Sequence, residues 1–205
     1  MNVYVETNFI LELAFVQDER ETCERILELC EFGHAALVLP AFCLAESYEM
    51  LGRRAKRRRQ IENDLKEELR QLERSEPYKD QIDALRSVAG LLVRSAVEDD
   101  RRLTAVLERI SRIAAIVPLE ADIISSIRVC RETYRLEPQD LIVYLSVQRH
   151  LASAGGVESC FIVRDKHFAD PDIVETLAKR GCKMLFSFAE GCLHMEDQGG
   201  AGSNP

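Results

Sequence analysis

At 205 residues and 46% hydrophobic content, the chain can fill one core, so one domain, with or without an insertion, is expected. A net charge of −8 with 30% charged residues argues against bulk, non-specific nucleic-acid binding. No apolar run approaches the roughly 18 residues of a membrane span, and the start of the chain is a strand pattern, not a basic region before an apolar signal core. The seven cysteines are odd in number, form no Cys-x-x-Cys pair and lie mostly in apolar surroundings. They read as reduced core thiols of a cytoplasmic protein. The four scattered histidines disfavour zinc.

Residues 2–6 read as a short buried strand, followed by a helix from Phe9 to Val16 that Thr7 or Asn8 can cap. A second helix is expected over Glu21–Phe32, stopping at Gly33. Ala36–Leu39 is a second buried strand ended by Pro40, and a third helix starts at Ala41 and runs well past residue 60. The stretch 53–112, rich in Arg, Glu and Leu, predicts two or three amphipathic helices. A third strand is expected within 113–119, then helices over Asp122–Tyr134 and from Pro138. Cys160–Val163 is a fourth strand, Ile173–Arg180 a helix, and Lys183–Phe188 a last strand. Residues 196–205 are expected to be a disordered tail. Short apolar strands alternating with helices predict an α/β fold with a parallel sheet covered on both faces, strand C-termini on one edge.

Four acids are addressed to that edge or near it. Glu6 ends the first strand, Glu46 lies in the helix after the second, Asp140 opens a helix, and Asp165 follows the fourth strand. Converging carboxylates repel one another, and a divalent cation relieves that repulsion. Oxygen ligands with no nearby Cys or His select Mg²⁺ or Mn²⁺, the chemistry of phosphodiester hydrolysis by an activated water. Each acid also has a structural reading. Glu6 and Asp140 can serve helix starts, Glu46 can pair with Arg53 or Arg54, and Asp165 can hold a turn. Thr7 and Asn8 can orient the acids or cap the helix.

Arg53, Arg54, Lys56, Arg57, Arg58 and Arg59 put six positive charges into seven residues. They form either a polyanion-facing strip or a solvated helix face neutralised by Glu62, Asp64, Glu67 and Glu68.

The order of these motifs resembles the PIN-domain family of metal-dependent nucleases. The resemblance rests on Glu6-Thr7-Asn8 after a strand, Glu46 on a helix after Pro40, Asp140-Leu-Ile-Val opening a helix, and Asp165-Lys-His-Phe168 after a strand. It spans residues 2–188, with 53–112 as an enlarged helical insertion. It implies a three-layer α/β/α sandwich over residues 1–195, and a Mg²⁺- or Mn²⁺-dependent endoribonuclease with Glu6, Glu46, Asp140 and Asp165 as catalytic and metal-binding residues. Thr7 and Asn8 would support them. Many members are toxins of toxin–antitoxin pairs and often dimeric, so RNA, an antitoxin and a second copy are the expected partners. The family's usual first residue is Asp, and Glu6 is longer by one methylene, about 1.5 Å.

RNA contacts are expected from Arg53, Arg54, Arg57, Arg58, Arg59, Arg164 and Lys166. The alternative reading keeps the acid pocket in a catalytically weak module that binds RNA or a protein partner. A phosphomonoesterase ranks lower, because no Gly-rich phosphate cradle is present.

Overall fold

A computed structural model describes residues 1–201. Five strands form one parallel sheet, in the order β3-β2-β1-β4-β5. They are β1 (Asn2–Val5), β2 (Ala36–Pro40), β3 (Ala115–Val117), β4 (Ser159–Ile162) and β5 (Cys182–Leu185). β1 is central. Its residues Val3, Tyr4 and Val5 are fully buried, as continuous apolar strands covered on both faces must be.

The chain leaves β1 toward β2 and β3 on one side, then returns to lay β4 against the other side of β1. Right-handed crossovers therefore put the first helices on one face and the later ones on the opposite face. On the first side α1 (Thr7–Phe15) and α2 (Arg20–Glu31) pack together, and α8 (Phe188–Ala201) packs on α2. On the other, α5 (Ala121–Thr133) packs on α6 (Pro138–Ser153), and α7 (Pro171–Ala178) lies against β5. The expected α/β/α sandwich with a parallel sheet is present.

The reversal of direction between β1 and β4 creates a crevice beyond their C-terminal ends, where ligands bind in open parallel sheets. Val5 is level with Ile162 in the ladder, so Glu6 and the residues after Val163 emerge at the same height.

The inserted stretch is a helical hairpin. α3 (Ala41–Leu72) and α4 (Ile82–Ile113) are each 32 residues long, and α4 returns to pack on α1. The expected two or three helices are two, because α3 runs unbroken from the sheet edge to Leu72. Asp99 holds the hairpin together. It is 2% exposed and receives Arg54 at 3.3 Å, Arg58 at 2.6 Å and Arg102 at 2.6 Å. Arg102 also donates to the Ala14 carbonyl at 3.0 Å, and the Arg54 guanidinium lies 4.5 Å over the Phe15 ring. One buried acid thus ties α3, α4 and α1.

Two expectations at the C-terminus are corrected. The last strand ends at Leu185, and Phe188 opens α8. The Ser187 hydroxyl accepts the Glu190 N–H at 3.1 Å, and the Glu190 carboxylate accepts the Phe186 N–H at 3.0 Å. This is a near-reciprocal capping arrangement, and it starts a helix where the apolar run alone suggests a strand. Residues 196–201 belong to that helix instead of a disordered tail, and residues 202–205 of that expectation lie outside the described residues. All seven cysteines are free thiols and five are buried.

Candidate active site

Glu6 caps α1. Its Oε2 accepts the Asn8 N–H at 2.9 Å, and its Oε1 accepts the Arg164 N–H at 3.3 Å. Both carboxylate oxygens are therefore engaged by backbone donors, and the residue is 6% exposed. Burial pushes its pKa up to about 7; the backbone hydrogen bonds oppose this and the charge of Glu46 adds to it. The Thr7 hydroxyl donates to Glu46 Oε2, so Thr7 orients the second acid. Asn8 supplies its backbone N–H to Glu6. Glu46 pairs with neither Arg53 nor Arg54, which are held by Glu49 at 2.5 Å and by Asp99.

Asp140 sits in the first turn of α6, half-buried. Burial, then the negative charges of Asp165 and Glu46, push it up to about 6, against the pull of His167. Asp165 accepts the His167 N–H at 2.8 Å and so holds the turn after β4. The same Oδ1 lies 3.3 Å from His167 Nδ1, and Asp140 Oδ2 lies 3.7 Å from it. Asp140, Asp165 and His167 each offer a donor atom, all within 4.8 Å of one another.

The expectation of an all-oxygen set with no nearby histidine is thus corrected. His167 stands two residues after Asp165, inside the Asp165-Lys-His-Phe168 segment, and the 3₁₀ turn Lys166–Ala169 folds it back onto the acids. Two carboxylates, one imidazole and the adjoining Glu46 suit a divalent cation with oxygen and nitrogen ligands. The Glu6 charge acts on Glu46, but both its oxygens accept from backbone N–H groups.

The basic residues are largely spent within the protein. Arg54 and Arg58 belong to Asp99, and Arg53 to Glu49. Arg57 and Arg59 are exposed and have no carboxylate within ion-pair distance among the described residues. The neutralising acids are therefore Asp99 and Glu49, while Glu62 pairs with Lys66 and Asp64 accepts from Gln60 at 2.8 Å. Arg164 turns its guanidinium onto the buried Glu12 and onto Glu19 at 3.1 Å. Lys166 stays exposed beside the acids.

With four acids following β1, opening α3, opening α6 and following β4, the match to a PIN-domain family model over residues 3–168 is decisive. The chain belongs to the PIN-domain family. PIN domains are typically nucleases and generally use divalent metals. No curated protein and no solved structure gives a significant match to this chain. The α3–α4 hairpin lies within the matched span. Among the described residues, no helix is long and apolar enough to cross a membrane.

The fold gives roles to three residues that the sequence motifs do not single out, His167, Glu12 and Asp99. His167 was visible as a histidine two places after a strand-end acid. Glu12 and Asp99 carry no local signal, because their partners lie far away along the chain.

Proposed function

We propose that this PIN domain is a Mg²⁺- or Mn²⁺-dependent endoribonuclease. The observation that carries the reading is the convergence of Asp140, Asp165 and His167 at the β1–β4 crevice, with Asp140 pushed up to about 6 by burial and its acidic neighbours. Such stored repulsion is what a bound cation neutralises. A divalent ion held by Asp140, Asp165 and His167, with Glu46 alongside, supplies Lewis acidity to a phosphoryl oxygen and activates water. Thr7 fixes Glu46 through its hydroxyl, and Glu6 fixes the ends of β1 and β4 so that the acids keep their spacing. An imidazole among the ligands favours the softer Mn²⁺ over Mg²⁺.

The test is incubation of purified protein with single-stranded RNA in Mn²⁺, Mg²⁺ or EDTA. Cleavage that needs the metal and is lost in Asp140→Asn supports the assignment. Cleavage by Asp140→Asn at the wild-type rate overturns it.

A second reading, a catalytically weak module that binds RNA or a protein partner, draws on Glu6. Its two oxygens are taken by backbone N–H groups, so it is poorly placed to be a ligand. Metal binding without cleavage is the outcome that favours this reading. A toxin role fits the exposed apolar side chains Leu85, Val88 and Leu91, three residues apart on α4, which offer a face for an antitoxin or a second copy. Free thiols fit a reducing compartment such as the cytoplasm.

A further inference from the structure

The basic strip that stands out in the sequence is mostly consumed by Asp99 and Glu49, so the positive surface facing substrate has to be sought elsewhere. Arg128 and Arg131 lie one turn apart on α5, and Arg135 lies in the connection to α6. All three are exposed, and none has a carboxylate within ion-pair distance among the described residues. Arg149, by contrast, binds Glu120 at 2.5 Å and also Asp122.

That pairing fixes the direction of the row. Arg149 is near the end of α6, and Glu120 and Asp122 are at the start of α5, so the two helices are antiparallel. At the other end, the Tyr134 and Tyr144 rings meet edge to face at 5.0 Å. Tyr144 is one turn beyond Asp140 on α6. The row Arg128, Arg131, Arg135 therefore climbs toward the end of α6 that carries Asp140.

Beside it runs a trough of about 750 Å³ lined by Ile124, Ile127, Arg128, Arg131 and Glu132. Ile124 is 55% exposed, and neighbouring Val129 is 69% exposed. Arginines bind phosphates and can stack on bases, and the apolar side chains beside them give van der Waals contact to unstacked bases. In a protein of net charge −8, a row of unpaired arginines is a local attraction against the overall field.

We infer that Arg128, Arg131 and Arg135 form the track on which single-stranded RNA lies as it enters the acidic crevice. The inference rests on the nuclease reading for where the track leads, but not for the binding itself. Glu132 lines the same trough, one turn after Arg128.

Binding is read with a short fluorescein-labelled single-stranded RNA in EDTA, where cleavage is stopped, across a KCl series. Each phosphate contact on a single strand adds about 0.7 to the slope of log affinity against log salt. Arg128→Gln/Arg131→Gln/Arg135→Gln is expected to lose tenfold or more in affinity at low salt, with the slope reduced by about 2. The triple lysine variant keeps most of the slope. Arg57→Gln/Arg59→Gln changes both quantities less. Single glutamine substitutions, each lowering the slope by about 0.7, give the same reading if the triple variant fails to fold.

Three binding results and one kinetic result overturn the inference; the binding results are no RNA binding by the wild type, an unchanged slope in the triple variant, or displacement of RNA by a polyglutamate peptide of matched charge as effective as by unlabelled RNA. A wild type that binds through this row but never cleaves in Mn²⁺ defeats the nuclease reading and leaves the track standing. Cleavage by a triple variant as fast as wild type at limiting RNA defeats the track alone.

Discussion

The Glu6 carboxylate accepts the Arg164 N–H at 3.3 Å across the β1–β4 crevice. The added methylene of glutamate gives the reach, and the other oxygen still caps α1 through Asn8. A longer acid at this position therefore serves as a staple between two strand ends.

Glu6→Ala removes both bonds and is expected to cost about 1–3 kcal/mol, the loss of a helix cap plus a stranded N–H. Glu6→Asp keeps the capping chemistry but loses the reach to Arg164, so its cost should be smaller. Urea denaturation of both variants checks this order. Equal losses would mean that the staple, not the cap, carries the effect.

Protonation of the crevice sets a pH dependence. Glu6 rises from 4.5 to about 7 and Asp140 from 3.8 to about 6, both chiefly by burial. With folded values above the unfolded ones, their contribution to stability is full below about pH 4 and is lost as pH rises through 6 to 7. For Glu6 alone the loss is roughly 3 kcal/mol. The melting temperature in EDTA should therefore fall between pH 5 and 8, and Glu6→Gln should flatten the fall. Since a cation binds the ionised acids, Mn²⁺ should raise the melting temperature more at pH 8 than at pH 5.5. A Mn²⁺ effect that is equal at both pH values would place the ion elsewhere.

His167 distinguishes this crevice from an all-carboxylate one. His167→Ala is expected to shrink the stabilisation by Mn²⁺ more than that by Mg²⁺, because only the softer ion gains from an imidazole nitrogen. Paired thermal melts with each metal measure the difference. An equal loss for both metals would leave His167 only a positioning role for Asp140 and Asp165.

The buried Asp99 holds three partly exposed arginines at the hairpin base. Asp99→Ala leaves these partly exposed arginines without their shared anion and should cost about 1–3 kcal/mol. For a chain of this size that is a drop of about 2–12 °C in melting temperature. Replacing the exposed Arg59 with Ala should change it by less than about 0.5 kcal/mol.

Gly191 brings α8 close to β4. A Cβ there would meet Ile162 Cδ1 at 2.3 Å and Cγ1 at 2.9 Å. Gly191→Ala should therefore cost about 1–3 kcal/mol through overpacking, despite its better helix propensity. Gly52→Ala, with nothing within 4 Å of the added carbon, should be neutral or stabilising. Denaturation midpoints of the two variants provide the comparison.

Local chemistry made much of this protein legible in its sequence. The apolar runs ending in Glu6 and preceding Asp165, Pro40 before α3 and Pro138 opening α6 are signals within a few residues. They specify parallel strands, helix starts and acids at one sheet edge. The Ser187-x-x-Glu190 signal for α8 was there too, but an apolar run beside it reads equally well as a strand.

Tertiary structure alone decided which charged groups remain available. Arg54 and Arg58 look like a nucleic-acid strip until Asp99, more than forty residues away, folds back against them. Arg164 looks like a phosphate contact until Glu12 claims it. Arg128, Arg131 and Arg135 draw no notice in sequence and are left unpaired by the fold. Charge pairing acts over a few ångströms in space, not along the chain, so a sequence reveals where charges are but not which of them are already neutralised.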